Sequence, residues 1–243
     1  MNFWNKWKKI TVYEQERVDL LIKLKKLIKE ELCNKVISIF TGGSFCRREY
    51  RKNSDLDVWI IVSKDNQITD VEYQLQRFLE EKKLMDIIKQ KPTVLSLEAL
   101  KRGNYLNKTI NKMSPRRFTL LSNEYNLLYG KKLPYKALPE MTSEEAFKGM
   151  LKWLMSIKDK QFNKEQIAKL YLYTRYFERK YLGEDVSYSF KEMKEISEET
   201  NDKLGIICSK YLIGEINDLS DDFKVEIIEE AEKIWKEYFN KQE

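Results

Sequence analysis

Two aspartates and a glycine pair stand close together in a lysine-rich chain. The segment FTGGSFCRREYRKNSDLDVWIIV, residues 40–62, contains two of the eight glycines, three arginines, and two aspartates separated by one residue. If Asp55 and Asp57 lie in a strand, their side chains face the same way. Carboxylates this close repel each other unless a proton is shared or a cation lies between them. Their oxygen atoms suit Mg²⁺, which usually binds one or two carboxylates together with substrate phosphates.

The glycine pair precedes a serine and follows a short apolar run. Glycine has no side chain, so the backbone N–H groups of Gly42 and Gly43 can approach an anion, and the Ser44 hydroxyl adds a donor. The loop that follows contains arginines suited to steering a polyphosphate, namely Arg47, Arg48 and Arg51. Taken singly, Gly-Gly-Ser is typical of a turn and Asp-x-Asp of a strand-start cap. Together they indicate a phosphate site beside a metal site, the layout of phosphoryl transfer.

The composition narrows the chemistry further. The 243 residues include no histidine, which removes the usual general base, the usual zinc ligand and every Ser-His or Cys-His pair. Three scattered cysteines are too few for a disulfide framework. A net charge of +6 favours anionic partners such as nucleotides or nucleic acid, although lysine and glutamate are closely interleaved. Since neither a membrane-spanning run nor a leader peptide is evident, we expect a cytoplasmic protein with no membrane partner.

The periodicity of the first half predicts a small sheet with helices. Apolar residues at helical spacing predict helices over 13–33 and 70–83. Short β-branched runs predict strands over 35–41, 55–62 and 92–97. Residues 98–113 have a helical pattern, and an apolar segment then ends at Gly130 and Pro134.

The second half has helical periodicity only. Thr142 and Glu145 have the spacing of a capping box, and apolar residues follow at helical intervals. Three further helices are predicted around 167–181, 204–213 and 227–238, which together indicate a helical bundle. We therefore expect two domains, 1–135 and 136–243.

The segment from Phe40 to Val62 resembles the nucleotidyltransferase superfamily with a DNA polymerase β type palm. The signature is an apolar residue, Gly-Gly or Gly-Ser, about a dozen residues, then Asp-x-Asp inside a strand. With the LLYG segment, residues 127–130, and the helical tail, the chain looks most like the aminoglycoside nucleotidyltransferases. The resemblance implies an α+β fold, a small mixed sheet with flanking helices followed by an all-α bundle.

The resemblance also implies a reaction and its site. Mg²⁺ would be bound by Asp55 and Asp57, and a nucleoside monophosphate would pass from a nucleoside triphosphate, ATP being expected, to a hydroxyl of a small acceptor with release of pyrophosphate. The nucleotide would be bound by Gly42, Gly43, Ser44, Arg47, Arg51 and Ser54. RNA or protein acceptors stay open, as does the oligomeric state.

The sequence departs from the resemblance in its third carboxylate. Many members carry another acid on a neighbouring strand, and PTVLSL, residues 92–97, contains none. The nearest acids are Asp86 and Glu98. The general base that takes the acceptor's proton is expected to be a carboxylate, with Glu98 and Glu145 as candidates beside Asp86 and Glu144. Helix capping explains Glu145 equally well. An antitoxin-like nucleotide-binding module with weak or no turnover is the alternative function.

Overall fold

The structure is a computed structural model that describes residues 2–50, 54–105 and 114–240. The chain divides into two compact units, Met1–Met141 and Thr142–Glu243. The division into a nucleotidyltransferase palm domain, 1–135, and a helical bundle domain, 136–243, stays a prediction. Among the described helices, none is long and apolar enough to cross a membrane.

The first unit contains a four-stranded mixed sheet. Its strands are β1 (Val36–Thr41), β2 (Val58–Val62), β3 (Thr93–Ser96) and β4 (Asn126–Gly130), in the order β3-β2-β1-β4. Strand β1 is antiparallel to both β2 and β4, whereas β2 and β3 are parallel. Every residue of β2 is buried, as expected for a central strand covered on both faces. The predicted mixed sheet is confirmed.

Helices cover both faces of this sheet. They are α1 (Val12–Glu31), α2 (Gly43–Arg47), α3 (Ile68–Glu81), α4 (Met85–Ile88), α5 (Leu97–Arg102) and α6 (Pro115–Leu121). One core joins α1 and α3 to Val58, Ile60 and Val62 of β2. The other core joins α5 and α6 to Trp59 and Ile61. Alternate residues of β2 thus enter different cores, which fixes the register of the strand.

The second unit is helical, as predicted. Its helices are α7 (Ser143–Met155), α8 (Lys164–Tyr181), α9 (Phe190–Glu199), α10 (Lys203–Ile213) and α11 (Phe223–Phe239). Thr142 and Glu145 form the predicted capping box at the start of α7. Helix α9 was not predicted as a separate helix. Its start is fixed by the Ser189 side chain, which accepts a hydrogen bond from the Glu192 N–H.

Two predicted boundaries in the first unit are wrong, and one strand was not predicted. Strand β2 begins at Val58 instead of residue 55, because its ladder with β1 ends at the pair Thr41 and Val58, where β1 turns into α2. The helix predicted over 98–113 ends at Arg102, since Gly103 adopts a left-handed conformation. Residues 106–113 lie outside the described residues. The apolar segment before Gly130 forms α6 and the fourth strand, β4, which was not predicted as a strand.

Candidate active site

The glycine pair, Gly42 and Gly43, forms the turn between β1 and α2, the glycine turn. Gly43 has a φ of +70°, a conformation that side chains other than glycine rarely adopt. A Cβ atom on Gly43 would overlap the carboxylate of Asp57, and one on Gly42 would lie 2.7 Å from Cδ1 of Tyr125. The glycines are therefore needed for close packing as well as for backbone conformation.

The two aspartates lie just before β2, and the backbone between them is anchored on both sides. The N–H of the buried Leu56 donates to the carbonyl of Ile88 at 3.1 Å. The carbonyl of Asp57 accepts from the Thr41 hydroxyl at 2.7 Å and from the Gly42 N–H at 3.4 Å. These bonds bring Asp57 to the glycine turn, so the structure places the predicted metal ligand beside the predicted phosphate site.

A glutamine that the sequence did not reveal also contacts Asp57. The Nε2 atom of Gln90 donates to Oδ1 of Asp57 at 3.1 Å. Thr93 pairs with Trp59, so the residues before β3 run alongside the segment that contains Asp57. Strand β3 itself contains no acid, as its sequence indicated. Finding Gln90 would have required the register of the parallel pair, which no sequence pattern specifies.

The predicted nucleotide-binding serines are both buried. Ser44 lies in α2, and Ser54 precedes Asp55. The carbonyl of Ser54 accepts from the Tyr13 hydroxyl at 3.3 Å, and the Tyr13 ring stacks on Tyr50 with centroids 4.7 Å apart. Burial, and to a lesser degree the nearby charge of Asp55, raises the pKa of Tyr13. Residues of α1 thus support the segment that leads to the aspartates.

The arginines of the loop have different environments. Arg47 donates to Glu49 at 3.0 Å. Arg48 forms a two-pronged pair with the buried Glu14, at 2.7 and 3.0 Å, and so ties the end of α2 to the start of α1. Burial would raise the pKa of Glu14, but hydrogen bonds from Thr11 and Arg48 outweigh it and lower the pKa. Arg51 lies outside the described residues, and nucleotide binding by Arg47 stays a prediction.

The surroundings of Cys46, near Asp57, favour a neutral thiol. Burial raises the pKa of the Cys46 thiol to about 12, and the nearby charge of Asp57 contributes. The thiol lies 3.7 Å from the Thr41 hydroxyl. Because a neutral thiol is a poor nucleophile and a poor metal ligand, the chemistry of this site rests on oxygen atoms.

The candidate bases lie in several places. Glu98 follows β3 and accepts a hydrogen bond from the Asp65 N–H at 2.9 Å. Because β2 and β3 are parallel, Glu98 lies beyond the end of the strands and Asp57 lies before their start, about 15 Å apart at the usual rise per residue. Asp86 is exposed on α4. In the second unit, Glu144 pairs with Lys148 at 2.6 Å and Glu145 caps α7. Catalysis by any of these four acids stays a prediction.

The described residues contain no cluster of three or more histidine, cysteine, aspartate or glutamate side chains that could bind a metal ion. A metal at the glycine turn would therefore need ligands from a substrate beside the oxygens of Asp57, and metal binding by Asp55 stays a prediction. This donor set is typical of Mg²⁺ bound with nucleotide phosphates.

The fold and the site define a class of protein. Residues 12–110 match the model of the family described as Polymerase beta, Nucleotidyltransferase. This match and the fold support a nucleotidyltransferase enzyme of the polymerase beta type, as the sequence resemblance implied. Nucleotidyltransferases of this type generally use a divalent metal.

One solved structure extends the similarity to nearly the whole chain. It is the crystal structure of spectinomycin adenyltransferase AAD(9) from Enterococcus faecialis with ATP and spectinomycin. The two chains are 14% identical, with a TM-score of 0.60, over 90% of this chain and 99% of that chain. At this identity the similarity establishes the shared fold. No curated protein matches this chain.

Proposed function

We propose that this protein is a Mg²⁺-dependent nucleotidyltransferase that moves a nucleoside monophosphate from a nucleoside triphosphate to a hydroxyl of a small acceptor. One observation carries the proposal: the carboxylate of Asp57 lies against Gly43, at the turn where β1 ends. A metal bound by this carboxylate would also reach a phosphate bound at the turn. The oxygen donors, with a neutral thiol nearby and no histidine in the chain, fit a hard cation.

The residues of the site have separate roles in this reaction. Asp55 and Asp57 would hold Mg²⁺, which neutralises charge on the phosphates when it is bound. The first N–H groups of a helix lack partners within the helix, so those of Gly43 and Ser44 suit a phosphate. The acceptor oxygen bonds to the α-phosphorus, the bond to the β-phosphate oxygen breaks, and pyrophosphate leaves. The acceptor's proton passes to a carboxylate base.

The acceptor class is proposed by similarity of fold. The matched adenyltransferase structure contains ATP and spectinomycin, which supports ATP as the donor and an aminoglycoside-like molecule with several hydroxyls as the acceptor. RNA and protein acceptors remain alternatives, without an observation in this structure that favours them.

Pyrophosphate release tests the proposal. The full-length protein is incubated with Mg²⁺, each of the four nucleoside triphosphates, and a panel containing spectinomycin, aminoglycosides, an RNA and an acceptor-free control. We expect release that needs Mg²⁺, a triphosphate and a small hydroxylated acceptor. Tight triphosphate binding without pyrophosphate release for any acceptor would mean that the protein is a nucleotide-binding module and not an enzyme. The absence of an acid from β3 would then explain the lack of turnover.

Four single variants test the base. Gln or Asn at Asp86, Glu98, Glu144 and Glu145 should leave ATP affinity close to the parent's, because none of these acids is proposed to bind phosphate. One of the four should lower turnover at least about tenfold, since general-base help is typically worth about 10²–10⁴ in rate. Parental turnover in all four variants would place the base elsewhere.

A further inference from the structure

Gln90 lies near the glycine turn, and the chain on both sides of it is anchored by backbone contacts. The preceding Lys89 has a φ of +61° and ends α4, whose last residue, Ile88, is fully buried. The carbonyl of Ile88 accepts from the Leu56 N–H at 3.1 Å, and Thr93 starts the pairing of β3 with β2. The side chain of Gln90 is therefore presented to Asp57 from a backbone with little freedom.

The contact fixes which atoms of the two side chains meet. Gln90 must direct its amide nitrogen at Oδ1 of Asp57, because its amide oxygen would repel a carboxylate. The other oxygen, Oδ2, lies against Gly43. An amide orients the carboxylate without adding charge, whereas a glutamate here would add a negative charge and a lysine would neutralise the carboxylate.

We propose that Gln90 is a positioning residue that orients Asp57 for a divalent cation. The inference rests on the proposed function, since it takes the aspartates as metal ligands. Gln90 acts through Asp57 and need not touch the nucleotide. Groups that orient metal-binding carboxylates typically change metal affinity 10- to 100-fold when they are removed.

Calorimetric titration of the nucleotide-free, full-length protein with Mn²⁺ tests the role of Gln90. The variants are Gln90→Leu, Gln90→Glu and, as a reference, Asp57→Asn. Gln74→Leu is the matched control, because Gln74 also donates its amide to an aspartate, Asp70 at 3.0 Å, but on the exposed face of α3. Thermal melting without metal is recorded for each protein.

We expect one ion per parent chain, 10- to 100-fold weaker binding in Gln90→Leu, and parental affinity in Gln74→Leu. Gln90→Glu should bind several-fold more tightly and should melt at a lower temperature without metal, since three carboxylates then repel one another. A purely structural role would not strengthen binding in one variant and weaken it in the other.

The reference variant separates the two proposals. Loss of binding in Asp57→Asn with parental affinity in both Gln90 variants overturns the role of Gln90 and leaves the proposed function standing. Equal binding by the parent and Asp57→Asn overturns both. If Gln90→Leu does not fold, Gln90→Glu decides, and parental affinity and melting in that variant overturn the role.

Discussion

Two carboxylate sites, one in each unit, have different partners in the structure. In the helical unit, Arg175 lies 3.0 Å from Oδ2 of Asp202 and 2.7 Å from Oε2 of Glu178, and the Tyr171 hydroxyl donates to Asp202 at 2.9 Å. A guanidinium from the chain itself thus meets both acids. In the sheet unit, Asp57 meets the neutral amide of Gln90 and the backbone of Gly43.

The arginine cluster and the contacts of Asp57 suit different roles. An internal cation neutralises its acids permanently, and its removal alone would leave buried charges uncompensated. An amide and a glycine position a carboxylate and add no charge. The arginine cluster of the bundle therefore suits a structural role, whereas the Gln90 amide suits the proposed role of orienting the Asp57 carboxylate.

The largest effect is expected from removing the internal cation. Arg175→Met leaves Asp202 and Glu178 buried without their guanidinium, so we expect the free energy of unfolding to fall by about 3–5 kcal/mol. Urea unfolding followed by circular dichroism measures it. Arg77→Met, which removes an exposed pair with Glu81, should leave stability close to the parent's. A loss in Arg175→Met no larger than in this control would contradict the structural role of the cluster.

The glycine turn allows a matched pair of variants. In Gly43→Ala, the alanine would have to adopt a φ of +70°, and its Cβ would overlap the Asp57 carboxylate. We expect this to strain the site by about 1–3 kcal/mol. We expect ATP affinity in the presence of Mg²⁺ to fall at least about tenfold, which corresponds to about 1.4 kcal/mol. Calorimetry measures the affinity.

Gly183→Ala is the control for this strain. Gly183 has a φ of +84° with no atom within 4 Å of a new Cβ, so the variant has the backbone strain without the overlap. It should lower stability and leave ATP affinity unchanged. Equal ATP affinities in Gly43→Ala and Gly183→Ala would mean that Gly43 has no role in nucleotide binding.

The smallest effect is expected from the titration of Glu178. Burial raises the pKa of Glu178 above its usual value of 4.5, more than the charge of Arg175 lowers it. The unfolded chain then releases this proton at a lower pH than the native state does. The contribution of Glu178 to stability should therefore fall as pH rises from 4.5 through its raised pKa.

Measuring the free energy of unfolding of the parent and of Glu178→Gln at several pH values tests the direction of this pH dependence. The stability of the parent relative to the variant should decline across that window and then level off. A difference that rises with pH would mean that Arg175 and Tyr238 lower the pKa of Glu178 more than burial raises it.

Much of the fold could be predicted because its patterns are local. Helix α1 has a regular apolar stripe and a capping box, and β1 and β2 are short β-branched runs. Strand β4 was missed because its sequence, NLLYG, has no alternation and depends on pairing with β1 for its conformation. Non-local pairing also decides that β2 begins after Asp57.

The candidate site was predictable only in part for the same reason. Asp55, Asp57 and the glycines belong to one continuous segment, so their spacing could be seen in the sequence. Gln90 and Tyr125 lie in the segments that precede β3 and β4, and their approach to the turn depends on sheet register and packing. The lysine-rich KQK around Gln90 has the composition of a solvated loop, and it gave no signal.

The central claim is that Asp57 joins a metal to a nucleotide at the glycine turn. Calorimetric titration of the parent with ATP, with and without Mg²⁺, and of Asp55→Asn and Asp57→Asn under the same conditions tests it most directly. We predict that Mg²⁺ strengthens ATP binding in the parent and that neither variant retains this dependence. The same Mg²⁺-dependent affinity in the parent and in both variants would contradict the account.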